Sequence, residues 1–172
     1  MFVYSRDAPG TAALRADDAL GEAHWSYMDA FADSMIARGP TFAPDRETVT
    51  GSLHVLGLPD IDAAHDFVAR EPNNQAGLYA EHSIWRFENL LGRTMWESAD
   101  AGDEPKLLII AKGEGQIDAD RERWILYGTL ATLVENEPIG VALAVRAADR
   151  EKIELRAFAD VELHAWEFGG RR

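Results

Sequence analysis

Apolar and polar positions change period several times along the chain. "MFVYSR" (1–6) is short, rich in β-formers and stopped by Pro9-Gly10, which reads as a strand. From about residue 17 to 38 the period is helical. Trp25, Tyr27, Met28, Phe31, Ala32, Met35 and Ile36 fill one arc, and Glu22, Ser26, Asp29 and Asp33 fill the other. Gly39-Pro40 supplies the stop signal. "TGSLHVLGL" (50–58) predicts a second strand, with a short partner around Pro40–Phe42. "PDIDAAHDFVAR" (59–70) predicts a helix capped by Asp60, with Ile61, Ala64 and Val68 facing inward. "EPNNQAG" is rich in turn residues, and "LYAEHSIWRF" (78–87) is a strand. The order β-α-β-(β)-α-β is the split βαβ pattern of a ferredoxin-like fold.

The acidic, aperiodic "ESADAGDEPK" then predicts a linker, after which the order repeats on a smaller scale. "KLLIIAKGEG" is a strand running into a glycine turn. "RERWILYGTLATLVEN" (121–136) reads as a helix that sets Trp124 against Trp25 and Arg123 against His24. "GVALAVRAADREKIELRAFAD" aligns without a gap on "GSLHVLGLPDIDAAHDFVARE", strand for strand and helix for helix, and "AWEFGGR" echoes "IWRFENLLGR" as a closing strand. The expected class is therefore α+β: two tandem ferredoxin-like halves, 1–96 and 106–172, joined by a linker at 97–105, the second half a diverged copy. A four-stranded sheet with helices on one face needs cover on the other, and two such sheets facing each other form an α+β barrel. Closure within the chain leaves a monomer sufficient; pairing of N-terminal sheets across a two-fold axis makes a homodimer.

Net charge narrows the partners. With 30 acidic against 17 basic residues, a formal charge of -13 and no basic stripe, nucleic acid and anionic membranes are disfavoured. No apolar run approaches the roughly 18 residues of a membrane span, and no signal peptide is visible, so the expected location is cytoplasmic. The chain lacks cysteine, which excludes disulfides, thiolate metal sites and cysteine nucleophiles. No zincin, EF-hand, phosphate-loop or serine-elbow spacing occurs, so neither metal nor cofactor is expected.

One residue breaks the helical pattern. His24 falls inside the apolar arc, close in angle to Met28, Phe31 and Met35. An imidazole aimed at a core needs a hydrogen-bond partner. A backbone carbonyl would make it structural, and a carboxylate would make it a general base. On the strands, His54 projects to the face opposite Leu53 and Val55. Tyr79, Ser83 and Trp85 alternate on one face of their strand, where they could line a small pocket with polar groups. His65, His82 and His164 read more simply as edge or strand residues.

In family order, the N-terminal strand, "AHWSYM", "ARGP", "TGSLHVLGL" and "AHDFVAREPNNQAGLYAEHSIWRF" resemble the YCII-related (YciI-like) family of small ferredoxin-like proteins, over about the first ninety residues. The resemblance implies a dimeric α+β barrel and a histidine–carboxylate pair as active site. The histidine carries over to His24. The family's aspartate before proline carries over to Glu71, one methylene longer, and the helical arginine only loosely to Arg15. The candidate site is then His24 and Glu71 as the acid–base pair, with Trp25, Met28, Ser52, His54, Tyr79, Ser83 and Trp85 around a small-molecule ligand. Two functions stay open: a cofactor-free enzyme moving a proton in a lyase, dehydrohalogenase or isomerase reaction, and a non-catalytic ligand-binding module on an inherited pocket.

Overall fold

In the first strand, β1 (Phe2–Asp7), Phe2 and Tyr4 point to one face and Val3 and Ser5 to the other, and all four are buried. A sheet buried on both faces follows. The computed structural model of the protein describes residues 1–98, 102–117 and 122–170. After β1 come a one-turn helix α1 (Ala12–Arg15), α2 (Asp18–Asp29), β2 (Met35–Phe42), β3 (Val49–Leu56), α3 (Ile61–Arg70), a second one-turn helix α4 (Pro72–Gln75) and β4 (Tyr79–Asn89). Four more strands complete the order: β5 (Lys106–Lys112), β6 (Leu126–Ala131), β7 (Pro138–Arg146) and β8 (Asp160–Trp166).

The eight strands close into one antiparallel barrel, ordered β1-β3-β2-β8-β5-β7-β6-β4. Around the ring, β4-β1-β3-β2 continues into β8-β5-β7-β6, so each half has the order fourth, first, third, second. The fourth strand of each half pairs with the second of the other. β2 meets β8 through Thr41↔Trp166 and Phe42↔Ala165, and β4 meets β6 from Arg86↔Ala131 to Asn89↔Gly128. The α+β barrel closes within a single chain.

Phe2, Tyr4, Leu53, Val55, Leu108, Ile110, Leu126, Leu130 and Trp166 fill the interior. At one end it turns polar, where the Tyr4 hydroxyl lies 3.2 Å from Thr41 Oγ1 and 3.3 Å from His164 Nδ1, and Glu162 accepts from Arg6 and from Lys112. Outside the first half, α2 and α3 cover the sheet with Met28 and Phe67 against Val3, Met35 and Leu56. Outside the second half the cover is irregular: Ile117, Trp124, Ile153, Leu155 and Phe158 lie over Ile109, Val141, Leu143 and Val145. No helix among the described residues is long and apolar enough to cross a membrane.

Four expected elements differ. The helix from 17 stops at Asp29, and Met35–Phe42 is a full strand rather than the helix end with a short partner. It pairs with β3 from Met35↔Leu56 to Phe42↔Val49, and Gly39 and Pro40 are poor helix-interior residues. The expected helix at 121–136 instead contains β6, with turns on either side of it among the described residues. Leu126 and Leu130 face the interior while Tyr127 faces outward, and a run apolar on both faces has no period to tell strand from helix. The last expected helix is a 3-10 segment, Ala147–Lys152, tied by Asp149, which accepts from Arg146 at 2.8 Å and Lys152 at 2.6 Å. The closing strand starts at Asp160, ahead of Ala165. Part of the expected linker, 99–101, lies outside the described residues.

Each seam contains a glycine against the neighbouring backbone. A Cβ on Gly128 would sit 2.3 Å from Glu88 O, and one on Gly39 1.9 Å from Glu167 O. Gly128→Ala, remote from the cleft described below, is expected to destabilise the fold by about 3 kcal/mol through forced separation of β4 and β6. In thermal unfolding this is a fall of roughly 6 to 12 °C.

Candidate active site

α2 is capped by Asp17, whose carboxylate accepts from Leu20 N at 2.9 Å. Its two buried residues are His24 and Met28, one turn apart on the face toward the sheet, while Glu22, Ser26 and Asp29 are exposed. Glu71 ends α3 and begins α4, with Pro72 in the first turn, where its preset φ suits a helix start. One Glu71 oxygen caps α4 by accepting from Asn74 N at 2.8 Å. The other lies 2.5 Å from His24 Nδ1. The carboxylate is therefore fixed at both oxygens, and both partners are buried.

In a neutral ring held this way, Nδ1–H donates to the carboxylate and the lone pair resides on Nε2. No hydrogen bond from a described residue reaches Nε2. His24 also lines a cleft of about 310 Å³ between α2, the β2–β3 edge and the chain end, at the lower limit of the roughly 300–1,000 Å³ usual for small-molecule sites. Trp25, Ser52 and His54 line it too, together with Arg15, Arg38, Asn73 and Phe168–Gly170.

His54 projects from β3 toward the helices, 3% exposed, its ring 5.7 Å from that of His24. Burial above all, with the guanidinium charges of Arg38 and Arg15 adding to it, holds it well below the ordinary imidazole range, so it is neutral near pH 7. Tyr79 is on the same side, 3.3 Å from Asn73 Nδ2, and burial followed by the Glu71 charge pushes its phenol up to about 12. Arg15 reaches from α1, holding Asp7 through Nε at 2.8 Å and Nη2 at 2.5 Å and donating to Ser52 Oγ at 3.1 Å. His82 supports the segment from behind: Nε2 meets Asn74 Oδ1 at 2.9 Å and Nδ1 meets Ser5 Oγ at 2.8 Å. Among the described residues no group of three or more His, Asp or Glu could hold a metal ion.

The remaining candidates lie elsewhere. Ser83 pairs with Tyr4 and Trp85 with Phe2, so both face the barrel interior, on the opposite side of the sheet from the cleft. A register shift between Arg6 and Asp7 breaks the alternation and sends Tyr79 to the helix side. Met28 packs between helix and sheet without lining the cleft. Arg38 and the 168–170 tail do not follow from the sequence, because the helical period places the first at a helix end and no local signal links the second to residue 38.

A model of the YCII-related domain matches residues 1–88, more than half of the chain. The chain belongs to the YCII-related family. This YCII-related protein is also similar to two solved structures. One is the 5-chloro-2-hydroxyhydroquinone dehydrochlorinase TftG from Burkholderia phenoliruptrix AC1100, in complex with 2,5-dihydroxybenzoquinone. It is 28% identical, covers 49% of this chain and 91% of its own, and has a TM-score of 0.43. The other is a proposed monooxygenase from Lactobacillus acidophilus NCFM, 7% identical, covering 98% of this chain and 96% of its own with a TM-score of 0.52, a likeness of fold. A search of curated proteins finds no match.

Burial holds the folded-state values of His54, His82 and His164 below the ordinary 6.5. Between those values and 6.5 the unfolded chain binds more protons than the native one, so stability is full above that range and falls as pH falls through it. Urea unfolding at pH 7 and pH 5.5 is expected to show the loss in the wild type. It should be smaller in His54→Gln, whose buried side chain does not titrate.

Proposed function

We propose that this YCII-related protein is a small-molecule enzyme whose chemistry is proton transfer by His24, with Glu71 as the residue that positions and charges it. The observation that carries this reading is the 2.5 Å contact between His24 Nδ1 and Glu71 Oε1 beside the cleft. Nε2 accepts a proton from a C–H or O–H of the ligand. Glu71 then stabilises the imidazolium through Nδ1–H, a role that depends on the carboxylate being fixed beforehand. In an elimination, the C–H electron pair becomes a double bond as the leaving group departs with its own pair. In an isomerisation, Nε2–H returns the proton at another carbon. The longer side chain of Glu71 suits its double duty, since one oxygen must also reach the amide of Asn74. Neutral His54 and Ser52 stand where they can donate or accept hydrogen bonds to ligand oxygens.

The shared strand order supports reading the second half as a copy that kept its sheet and lost both helices and the dyad. On this reading each chain has one site, and the second half completes the barrel.

Two measurements test the catalytic reading. Turnover is assayed on ring compounds with acidic hydroxyls, including the compound after which the Burkholderia enzyme is named. His24→Gln is expected to lower turnover by about a hundred- to ten-thousand-fold with the fold unchanged by circular dichroism. In parallel, the His24 ring resonances should move in Glu71→Gln. Full turnover in His24→Gln would sink the assignment. Ligand binding without turnover in the intact protein would leave a binding module.

A further inference from the structure

Four of the five histidines are accounted for by their surroundings. His24 meets Glu71, His82 meets Asn74 and Ser5, His164 meets Tyr4 and Glu162, and His65 lies exposed on α3. His54 is the exception. It is 3% exposed, and no hydrogen bond from a described residue reaches either ring nitrogen. Polar groups buried this deeply are nearly always paired, because an unmade hydrogen bond costs the hydration that the group has lost. Packing does not explain the choice of residue. The Phe67 ring stands 5.6 Å away, edge on, a contact that a phenyl side chain at 54 would make without the penalty.

The space beside the ring limits what can pair with it. His54 borders the cleft of about 310 Å³ and a second space of about 10 Å³ beside Ser5, Glu71, Tyr79 and His82. The second is on the order of a single water, so a larger partner can come only from the cleft. His24 lines that cleft too, the two ring centroids 5.7 Å apart. Burial and the neighbouring guanidinium charges keep His54 uncharged near pH 7, which leaves the ring one N–H and one lone pair. No described residue fixes the tautomer, so the proton can reside on the nitrogen nearer an acceptor in the cleft.

We propose that His54 is the hydrogen-bond donor to the oxyanion that forms on the substrate, and that the substrate is a carbonyl compound with an ionisable C–H beside the carbonyl. Imidazole is a weak base toward carbon. It takes such a proton where the C–H electron pair can become a C=C bond while the carbonyl π pair moves onto oxygen. The proton passes to Nε2 of His24, and the oxygen that gains charge accepts from the N–H of His54. An uncharged donor already held in a buried site needs no rearrangement as that charge appears. The enolate then reforms its carbonyl, either expelling a leaving group from the β-carbon with its electron pair or taking the proton back at a conjugated carbon. This inference rests on the reading of His24 as proton acceptor, whereas hydrogen bonding at His54 is measurable without turnover.

Cyclohexane-1,3-dione, ionised to its enolate at pH 7, is the probe. It is titrated into the protein at constant ionic strength while long-range 1H–15N NMR follows the imidazole nitrogens. In the wild type, the His54 ring is expected to stay uncharged and its resonances to move as one nitrogen meets a charged acceptor. His54→Phe keeps a flat ring without the donor and should weaken dione binding about tenfold, the scale of one hydrogen bond to a charged group. His54→Gln retains an uncharged N–H donor and should recover most of that loss. His54 resonances unmoved at saturation, no binding of the dione to the wild type, undiminished affinity in folded His54→Phe, or equal affinities in the two variants would overturn the proposal. The wild-type resonances decide even where His54→Phe does not fold. Failure of the His24 reading has another signature. Full turnover in His24→Gln, with dione binding still dependent on His54, removes proton transfer by His24 and keeps His54 as the donor to a carbonyl ligand.

Discussion

Ring closure within one chain is the constraint on which the other features of this protein rest. A four-stranded ferredoxin-like sheet has two free edges and one uncovered face. The halves resolve both together, since each half's fourth strand bonds to the other's second strand and the two bare faces become a common interior. The β2–β8 ladder has two residue pairs, Thr41↔Trp166 and Phe42↔Ala165, and the chain beyond β8 extends it along Pro40 and Arg38. Gly39 lets the backbones approach there. The same extension that seals the barrel brings Phe168–Gly170 to the cleft.

Division of labour between the halves has a physical basis. The first keeps amphipathic helices on its outer face, and a helix can present a polar side chain from within an apolar stripe, as α2 does with His24 beside Met28. The second covers its outer face with irregular segments carrying Trp124, Ile153, Leu155 and Phe158. Such cover shields the sheet and, among the described residues, presents no counterpart of the His24–Glu71 pair. The candidate site therefore lies at the helix–sheet interface of one half, outside the barrel. The interior is filled with side chains, and its polar end is taken up by the Tyr4, His164, Glu162, Arg6 and Lys112 network.

Glu71 shows how a departure from a pattern is accommodated. One oxygen caps α4 and the other meets His24, so the side chain is held by local geometry before any ligand arrives. Behind it, Asn74 and His82 tie α4 to Ser5 on β1. A carboxylate fixed in this way loses little freedom when an imidazolium forms beside it, which is the condition for effective electrostatic assistance.

Local pattern determined much of this protein by itself: the first-half order of strands and helices, the Asp60 cap and the inward turn of His24. Each depends on residues within a turn or two of one another, where period and capping chemistry act. Tertiary structure decided the rest. Strand β2 emerged where a helical stripe ran on through Met35 and Ile36, because the ladder with β3 outweighs a stripe that ends in Gly39-Pro40. Strand β6 emerged because burial on both faces erases the period. Ser83 and Trp85 parted from Tyr79 at a register shift that alternation alone does not reveal. Arg38 and the 168–170 tail meet across about 130 residues of chain, through hydrogen bonds that exist only once the barrel has closed.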